Sequence, residues 1–194
     1  MNVLIVGSGG REHAIACKAA ESKRADKIYA APGNAGIAEM AECMDIPVMD
    51  FPKLIEFAKE KNIDFVIVGP DDPLVAGAVD EFEKAGFKTF GPHANAAIIE
   101  GSKAFSKDLM KKYNIPTAGY EVFTSADKAI EYLEKADYPI VLKADGLALG
   151  KGVLICKTKE EAIEGVKTIM EDKKFGSAGN TLVIEDFMTG PEVS

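Results

Sequence analysis

The sequence contains no tryptophan, only two histidines and only three cysteines among its 194 residues. The cysteines, Cys17, Cys43 and Cys156, form no C-x-x-C pair, so neither a disulfide framework nor a cysteine-ligated zinc site is indicated. With His13 and His93 as the only imidazoles, a histidine-rich metal centre and a histidine-based nucleophilic triad are both disfavoured. A reducing cytoplasm is the compartment that this cysteine usage favours.

The sequence also lacks an excess of positive charge and a long apolar run. Its net charge of −8 disfavours nonspecific binding to nucleic acid, and an anionic ligand would need local positive charge or a helix N-terminus. No segment is long enough to span a bilayer, and the N-terminus lacks the basic and apolar regions of a signal peptide. We therefore expect a cytoplasmic protein without a nucleic-acid or membrane partner.

The first hundred residues alternate short apolar strands with amphipathic helices. Continuous runs rich in β-branched residues are typical of strands that are buried on both faces. The strands are predicted at 3–6, 27–30, 65–68 and 88–90, and the helices at 11–21, 51–61 and 74–85. This alternation predicts an α/β fold with a parallel sheet, which binds ligands at the carboxyl ends of its strands.

The first of these strands ends in a glycine-rich loop. Gly7 and Gly9 fit the start of a G-x-G-x-x-G dinucleotide loop, but Glu12 replaces its third glycine. The second strand also ends without the acidic residue that would bind a ribose hydroxyl, so NAD or FAD is disfavoured. A phosphate or carboxylate site at the helix N-terminus remains, with Arg11 adding charge. A tight turn without a ligand is the alternative.

Two further polar loops are expected at the same edge of the sheet. Asn34 lies in the loop at 32–36, and Asp71 follows the strand at 65–68. Each is by itself a common turn residue, but the convergence of three polar loops favours a site whose side chains bind sugar hydroxyls.

A second glycine-rich loop lies between two apolar runs in the second half of the chain. It begins after Lys143 and contains Gly146, Gly150, Lys151 and Gly152. Glycines let backbone N–H groups approach phosphate oxygens, and lysines add point charge, so the loop suits a polyphosphate. It is not a P-loop, because the glycines are too closely spaced and the chain continues into a strand. A flexible hairpin with exposed lysines is the alternative.

The rest of the second half predicts helices and one more strand. The helices are expected from 101 to 113, with an apolar face of Ala104, Phe105, Leu109 and Met110, from 126 to 135 with Ser125 as N-cap, and from 159 to about 170. The strand is expected at 181–185, and strands at 139–142 and 153–156 flank the loop. Glu185 and Glu192 flank the residues 186–188, whose backbone is suited to bind an adenine edge, with a turn as the alternative.

Six motifs occur in an order that resembles the phosphoribosylamine–glycine ligase family of the ATP-grasp superfamily. They are GSGGREHA at 7–14, APGNAG at 31–36, VGPD at 68–71, FGP at 90–92, EGSKAF at 100–105 and KADGLALGKGV at 143–153. Each motif alone is weak, but the six together are specific and cover the whole chain.

The resemblance implies a pre-ATP-grasp (Rossmann-like) domain at 1–100 and an incomplete ATP-grasp domain at 101–194. The family joins glycine to 5-phosphoribosylamine through a glycyl phosphate, with ATP going to ADP and phosphate, in the second step of de novo purine synthesis. ATP and Mg²⁺, or Mn²⁺, are the implied cofactors, and no catalytic residue is assigned within this chain.

The resemblance also implies site residues. Phosphoribosylamine would lie beside Gly9, Gly10, Arg11, Glu12, Asn34 and Asp71. ATP would contact Lys103, Lys143, Gly146, Gly150, Lys151, Gly152, Glu185, Asp186, Phe187, Met188 and, through its ribose, Glu192.

Three departures from the family pattern qualify these implications. Asp71 stands where a glutamate is usual, and Leu149 replaces a small loop residue. Family members are considerably longer, and their magnesium and glycine ligands are expected beyond Ser194. We therefore expect a monomeric fragment with little ligase activity. The alternatives are a non-catalytic module that binds ATP or a phosphosugar, and an NAD-dependent oxidoreductase.

Overall fold

The computed structural model describes residues 1–147, 152–191 and 193, and it divides into two compact units, Met1–Ile98 and Ile99–Ser194. The chain is a mixed α/β protein, as the sequence predicts. In the described part, no helix is both long enough and apolar enough to cross a membrane.

The first unit contains a five-stranded parallel sheet in the order β3-β2-β1-β4-β5. Its strands are β1 (Asn2–Gly7), β2 (Lys27–Pro32), β3 (Glu42–Cys43), β4 (Phe65–Val68) and β5 (Lys88–Phe90). The central strand β1 is buried on both faces, because Leu4 and Val6 belong to one apolar cluster and Val3 and Ile5 to another. The two residues of β3 are too few to give a periodic signal, so the sequence does not predict that strand.

Helices cover both faces of this sheet. They are α1 (Gly10–Ala20), α2 (Phe51–Glu60), α3 (Asp71–Val75) and α4 (Ala78–Lys84), with a 3₁₀ turn at Ile37–Glu39. The prediction of one helix over 74–85 is wrong. Gly77 has φ +89°, a left-handed conformation that a right-handed helix cannot continue through, and so α3 and α4 are separate. Helix α5 (Ala94–Gly101), which the sequence analysis did not predict, follows.

The second unit contains a four-stranded antiparallel sheet in the order β6-β9-β7-β8. Its strands are β6 (Tyr120–Phe123), β7 (Ile140–Ala144), β8 (Val153–Cys156) and β9 (Leu182–Asp186), and its helices are α6 (Lys103–Lys112), α7 (Ala126–Leu133) and α8 (Lys159–Val166). After α8 the chain forms a π-helix at Lys167–Glu171, where the predicted helix would have continued in α form, and a 3₁₀ turn at Gly176–Asn180 follows. Ser125 occupies the N-cap position of α7 as predicted, although its side chain makes no capping bond there.

One face of this sheet packs on α7 and α8. The other face, called the open face, is exposed at Val153 (41%) and Ile155 (56%) on β8, but Val183 and Glu185 of β9 are buried on it. Leu142 and Ile184 lie in the apolar cluster under the helices. Because side chains alternate along a strand, Val141, Lys143 and Glu185 lie on the opposite face. Strand β7 continues to Ala144, two residues beyond the predicted end of the strand at 142. Lys143 therefore lies within the strand and not after it.

Helix α6 presents the predicted apolar face only in part, because Ala104, Leu109 and Met110 are half-buried. Of its ten residues, Lys107 alone is buried, whereas Phe105 is 39% exposed. Ser102 caps the helix by accepting a hydrogen bond from the Phe105 backbone N–H at 3.0 Å.

Candidate functional site

Three loops lie together at the carboxyl edge of the parallel sheet. The N–H of Gly33 donates to the carbonyl of Gly7 at 3.0 Å, and the N–H of Gly69 donates to the carbonyl of Val6 at 3.1 Å. The loops after β1, β2 and β4 are therefore joined by their backbones, and the predicted residues at 9–12, Asn34 and Asp71 meet at one edge.

The side chain of Glu12 fills the space between these loops. Glu12 is only 3% exposed, and its Oε2 accepts a hydrogen bond from the Gly9 N–H at 2.6 Å. A Cβ at Gly69 would lie 2.2 Å from Glu12 Oε1, and one at Gly7 would lie 2.4 Å from Glu12 Cγ. Glycine is required at both positions because the carboxylate lies against their backbones. Since Glu12 also takes one loop N–H, this loop is a poor cradle for a dinucleotide pyrophosphate.

The second carboxylate oxygen of Glu12 has no hydrogen-bond partner in the part of the chain that the structure describes. Its Oε1 is buried, and no hydrogen bond reaches it from any residue that the structure describes. A buried acceptor without a donor is costly, of the order of 1–3 kcal/mol, so a ligand hydroxyl or amine that donated to Oε1 would be favoured there.

Arg11 and Asp71 face each other at the rim of this edge. Two parallel contacts of 3.4 Å join Arg11 Nη1 and Nη2 to the two carboxylate oxygens of Asp71. Both side chains are substantially exposed, so the pair contributes about 1 kcal/mol or less to stability. The sequence had assigned both residues to a ligand, which stays a prediction, and in the structure they contact one another.

Asn34 connects two of the loops. Its Nδ2 donates to the Ser8 carbonyl at 2.8 Å, and its Oδ1 accepts from the Ile37 N–H at 2.9 Å. A primary amide has a second N–H and a second lone pair, so Asn34 retains the capacity for one further bond of each kind. Its predicted contact with a sugar hydroxyl is compatible with this structural role and stays a prediction.

In the second unit, two lysines share one carboxylate oxygen. Lys143 Nζ lies 2.8 Å and Lys107 Nζ 3.0 Å from Glu185 Oε2. The sequence assigned Lys143 and Glu185 to the nucleotide separately, and the neighbouring strands β7 and β9 bring them together. Lys107 was not predicted from the sequence, although its i,i+4 spacing from Lys103 places both lysines on one face of α6.

The beginning of the second glycine-rich loop is tied to the beginning of α6. Asp145 accepts hydrogen bonds from the Ser102 hydroxyl at 3.1 Å and from the Ala104 N–H at 3.1 Å. Lys103 Nζ donates to the Gly146 carbonyl at 2.8 Å. Asp145 was not predicted from the sequence either. Its position directly after the strand that carries Lys143 could have indicated it.

The open face of the antiparallel sheet combines apolar and ionic groups. Around Lys143 and Glu185 it carries Val141, Val153, Ile155 and Val183, and Ile155 is 56% exposed. At the end of β9, Asp186, Phe187 and Met188 are exposed. An apolar floor beside lysines suits a flat heteroaromatic group with an anionic tail. The predicted contacts Gly150, Lys151 and Glu192 lie outside the described residues, whereas Gly152 is described and buried.

Two family models together match the whole chain. The N domain of phosphoribosylglycinamide synthetase matches residues 1–100, and the ATP-grasp (A) domain of the same synthetase matches residues 101–194. The chain belongs to the phosphoribosylglycinamide synthetase family. The resemblance seen in the sequence motifs is thereby confirmed.

Curated members of this family match along the full chain. It is 52% identical over 194 residues to a phosphoribosylamine–glycine ligase of Halalkalibacterium halodurans, covering 100% of this chain and 45% of that protein. It is 50% identical over 196 residues to the phosphoribosylamine–glycine ligase of an Escherichia coli O6:H1 strain, covering 100% of this chain and 46% of that protein. The chain thus spans less than half the length of these family members.

Solved structures agree with the family assignment and with the fold. A phosphoribosylamine–glycine ligase from Thermotoga maritima is 34% identical with a TM-score of 0.76, covering 98% of this chain and 45% of that one. The biotin carboxylase domain of a 2-oxoglutarate carboxylase from Hydrogenobacter thermophilus is 20% identical with a TM-score of 0.79, covering 96% of this chain and 44% of that one. The second likeness concerns the fold alone.

Tyr120 lies beside the two-lysine cluster and gives a pH prediction. Its hydroxyl donates to Asp108 Oδ1 at 2.6 Å, and this bond, with burial and the Asp108 charge, raises the pKa of Tyr120 from 10.0 to about 12. The folded pKa exceeds the unfolded one, so the stabilisation is complete below pH 10 and is lost as the pH rises towards 12.

Phenolate absorbance during an alkaline titration measures this shift. We expect a late-titrating tyrosine that disappears in Tyr120→Phe and titrates earlier in Asp108→Ala. A late titration that persists unchanged in Asp108→Ala would contradict the assigned cause.

Proposed function

We propose that this chain forms the phosphoribosylamine side and the first part of the ATP cleft of an ATP-dependent ligase. The reaction joins glycine to 5-phosphoribosylamine and gives glycinamide ribonucleotide, ADP and phosphate, the second step of de novo purine synthesis. The main support is that each unit carries its own cluster of polar groups suited to one of these ligands. The unit that matches the N domain carries the Glu12 edge, and the unit that matches the ATP-grasp domain carries Lys143.

The open sheet face is proposed to bind ATP. The adenine would lie on the apolar floor beside Val141, with its edge at the backbone of residues 186–188. Lys103 and Lys143 would contact the phosphates. The Lys103 ammonium lies at the beginning of the glycine-rich loop, where it donates to the Gly146 carbonyl, and Lys143 lies in the adjoining strand β7. The remaining proposed contacts are Gly146, Gly150, Lys151, Gly152 and, to the ribose, Glu192.

The carboxyl edge of the parallel sheet is proposed to bind phosphoribosylamine. Backbone N–H groups at the N-terminus of α1, from Gly10 onwards, would donate to the phosphate, and Arg11 would add charge. The unpartnered Oε1 of Glu12 would accept from a hydroxyl or from the amine of the ligand. Asn34 and Asp71 would complete the pocket from the neighbouring loops.

The chemistry requires positioning and charge neutralisation, and no covalent enzyme nucleophile. An oxygen of the glycine carboxylate attacks the γ-phosphorus and ADP leaves, which gives glycyl phosphate. The amine of phosphoribosylamine then attacks the glycyl carbonyl, phosphate leaves, and the amine loses a proton. Lysines beside the phosphates stabilise the developing negative charge.

Family members use Mg²⁺, which neutralises phosphate charge when it is bound. Among the described residues, no group of three or more His, Cys, Asp and Glu side chains could hold a metal ion. None of the steps above depends on a metal ligand from these residues.

Thermal melting and phosphate release test the proposal on the 194-residue chain. We expect ATP to raise the melting temperature of the chain, because a ligand that binds only the folded state stabilises it. We expect phosphate release with glycine and phosphoribosylamine to stay at the level of a Lys143→Ala control. ATP that failed to stabilise the chain would overturn the proposed nucleotide cleft.

Phosphate release above that control would show that these residues suffice for turnover and would overturn the expectation of low activity. Release that did not require both substrates would point instead to a module that hydrolyses or senses ATP. We further propose a cytoplasmic monomer, and sedimentation of the chain with and without ATP tests the monomeric state.

A further inference from the structure

Lys107 is buried although it carries a charge. It is 8% exposed, and its ammonium lies 2.8 Å from Thr117 Oγ1, 3.4 Å from the Ala118 carbonyl and 3.0 Å from Glu185 Oε2. The ammonium also lies 5.7 Å from the centre of the Tyr120 ring. Its three donors therefore have three acceptors, and the lysine is held in one place.

Burying such a charge is expensive when an apolar residue would fill the same volume. A buried ion pair is often no more stabilising than well-packed apolar side chains. Stability alone therefore does not explain a lysine at 107, where methionine would also pack.

The charge count of the cluster suggests what Lys107 adds. Lys143 and Glu185 alone would form a neutral pair at 2.8 Å, with the Lys143 ammonium committed to the carboxylate. Lys107 competes for the same oxygen, and two ammonium groups with one carboxylate leave a net charge of +1. This uncompensated charge lies on the open sheet face, beside the glycine-rich loop.

We propose that Lys107 is a positioning residue that shares Glu185 with Lys143 and so keeps the Lys143 ammonium available to a phosphate anion. The inference rests on the proposed ATP cleft and extends it. Lys107 is too buried to contact the phosphates itself and acts through the carboxylate. The excess positive charge attracts the polyphosphate tail, whereas the adenine is held by the apolar floor and the backbone.

Paired substitutions in the 194-residue chain test this role. Lys107→Met removes the charge and keeps an unbranched side chain, and Glu185 stays paired with Lys143, so no buried charge is left alone. Lys111→Met is the matched control, because Lys111 lies one turn further along α6 and also approaches the Tyr120 ring, at 5.8 Å. The double variant Lys107→Met/Glu185→Gln restores the net charge of +1. Calorimetric titration with ATP and with adenosine gives the readout.

We expect Lys107→Met to raise the Kd for ATP by about tenfold, the scale of removing one partly screened charge near the phosphates. The Kd for adenosine should not change, Lys111→Met should bind both ligands as the parent chain does, and the double variant should regain ATP affinity. Equal weakening of ATP and adenosine, or no recovery in the double variant, would show a merely structural lysine. ATP binding by Lys107→Met that matches the parent would overturn this inference alone, whereas a parent chain that binds no ATP would overturn the proposed cleft together with it.

Discussion

Lys143→Ala is expected to weaken ATP binding by the 194-residue chain about a hundredfold. The ammonium of Lys143 is the cation at the centre of the open sheet face, and a charge-assisted contact with phosphate is worth about 1.5–3 kcal/mol. The fold should survive, because Glu185 keeps Lys107 as a partner at 3.0 Å. Calorimetric titration gives the loss of affinity, and circular dichroism shows whether the variant is folded.

The specificity of this loss is part of the prediction. Adenosine, which has no phosphate, should bind Lys143→Ala as it binds the parent chain. Lys111→Ala removes an exposed charge from the same unit and serves as the control. If Lys143→Ala and Lys111→Ala bound ATP equally well, the assignment of Lys143 to the phosphates would be wrong.

Gly69→Ala is expected to destabilise the chain by about 1–3 kcal/mol, the range for overpacking a well-packed site. The added Cβ would lie 2.2 Å from Glu12 Oε1 and 2.7 Å from Glu12 Cγ. Glu12 cannot move away easily, since its Oε2 is bonded to the Gly9 N–H and its side chain also lies against Gly7. Urea denaturation measures the change in the free energy of unfolding.

A double variant identifies the cause of that loss. Glu12→Ala removes the atoms that the new methyl group would meet, so Gly69→Ala/Glu12→Ala should regain most of the lost stability. Gly10→Ala is the matched control, because a Cβ at Gly10 would meet nothing within 4 Å. Additive losses in the double variant would mean that the glycine is needed for its backbone conformation and not to make room for the carboxylate.

The strands were the part of the fold that the sequence predicted best. The apolar runs at 65–68 and 153–156 became β4 and β8 with the predicted bounds, because a strand buried or half-buried in a sheet needs a continuous or alternating apolar pattern. The helix predicted over 74–85 is interrupted at Ala76 and Gly77. Gly77 is tolerated in a helical pattern, and nothing local shows that it adopts φ +89°.

The polar groups of the two clusters were only partly predictable. Glycine-rich loops after strands indicated where ligands would bind, and Arg11, Glu12 and Lys143 follow from those loops. The sequence could not show that Lys107 is buried, because a lysine in an amphipathic helix is normally solvated. Its burial depends on Glu185, which is far away in the chain and reaches α6 only through the strand order of the sheet.

Helix α6 carries Lys103 and Lys107 on one rigid segment. Lys103 holds the Gly146 carbonyl and Lys107 holds Glu185, four residues apart and therefore about 6 Å apart along the helix axis. A helix resists stretching, so a displacement of the loop that moves Lys103 also moves Lys107. Amide hydrogen exchange at the two ends of α6 should consequently slow together when a ligand holds either lysine. The contact of Lys103 with the loop and the contact of Lys107 with Glu185 would then change together and not independently.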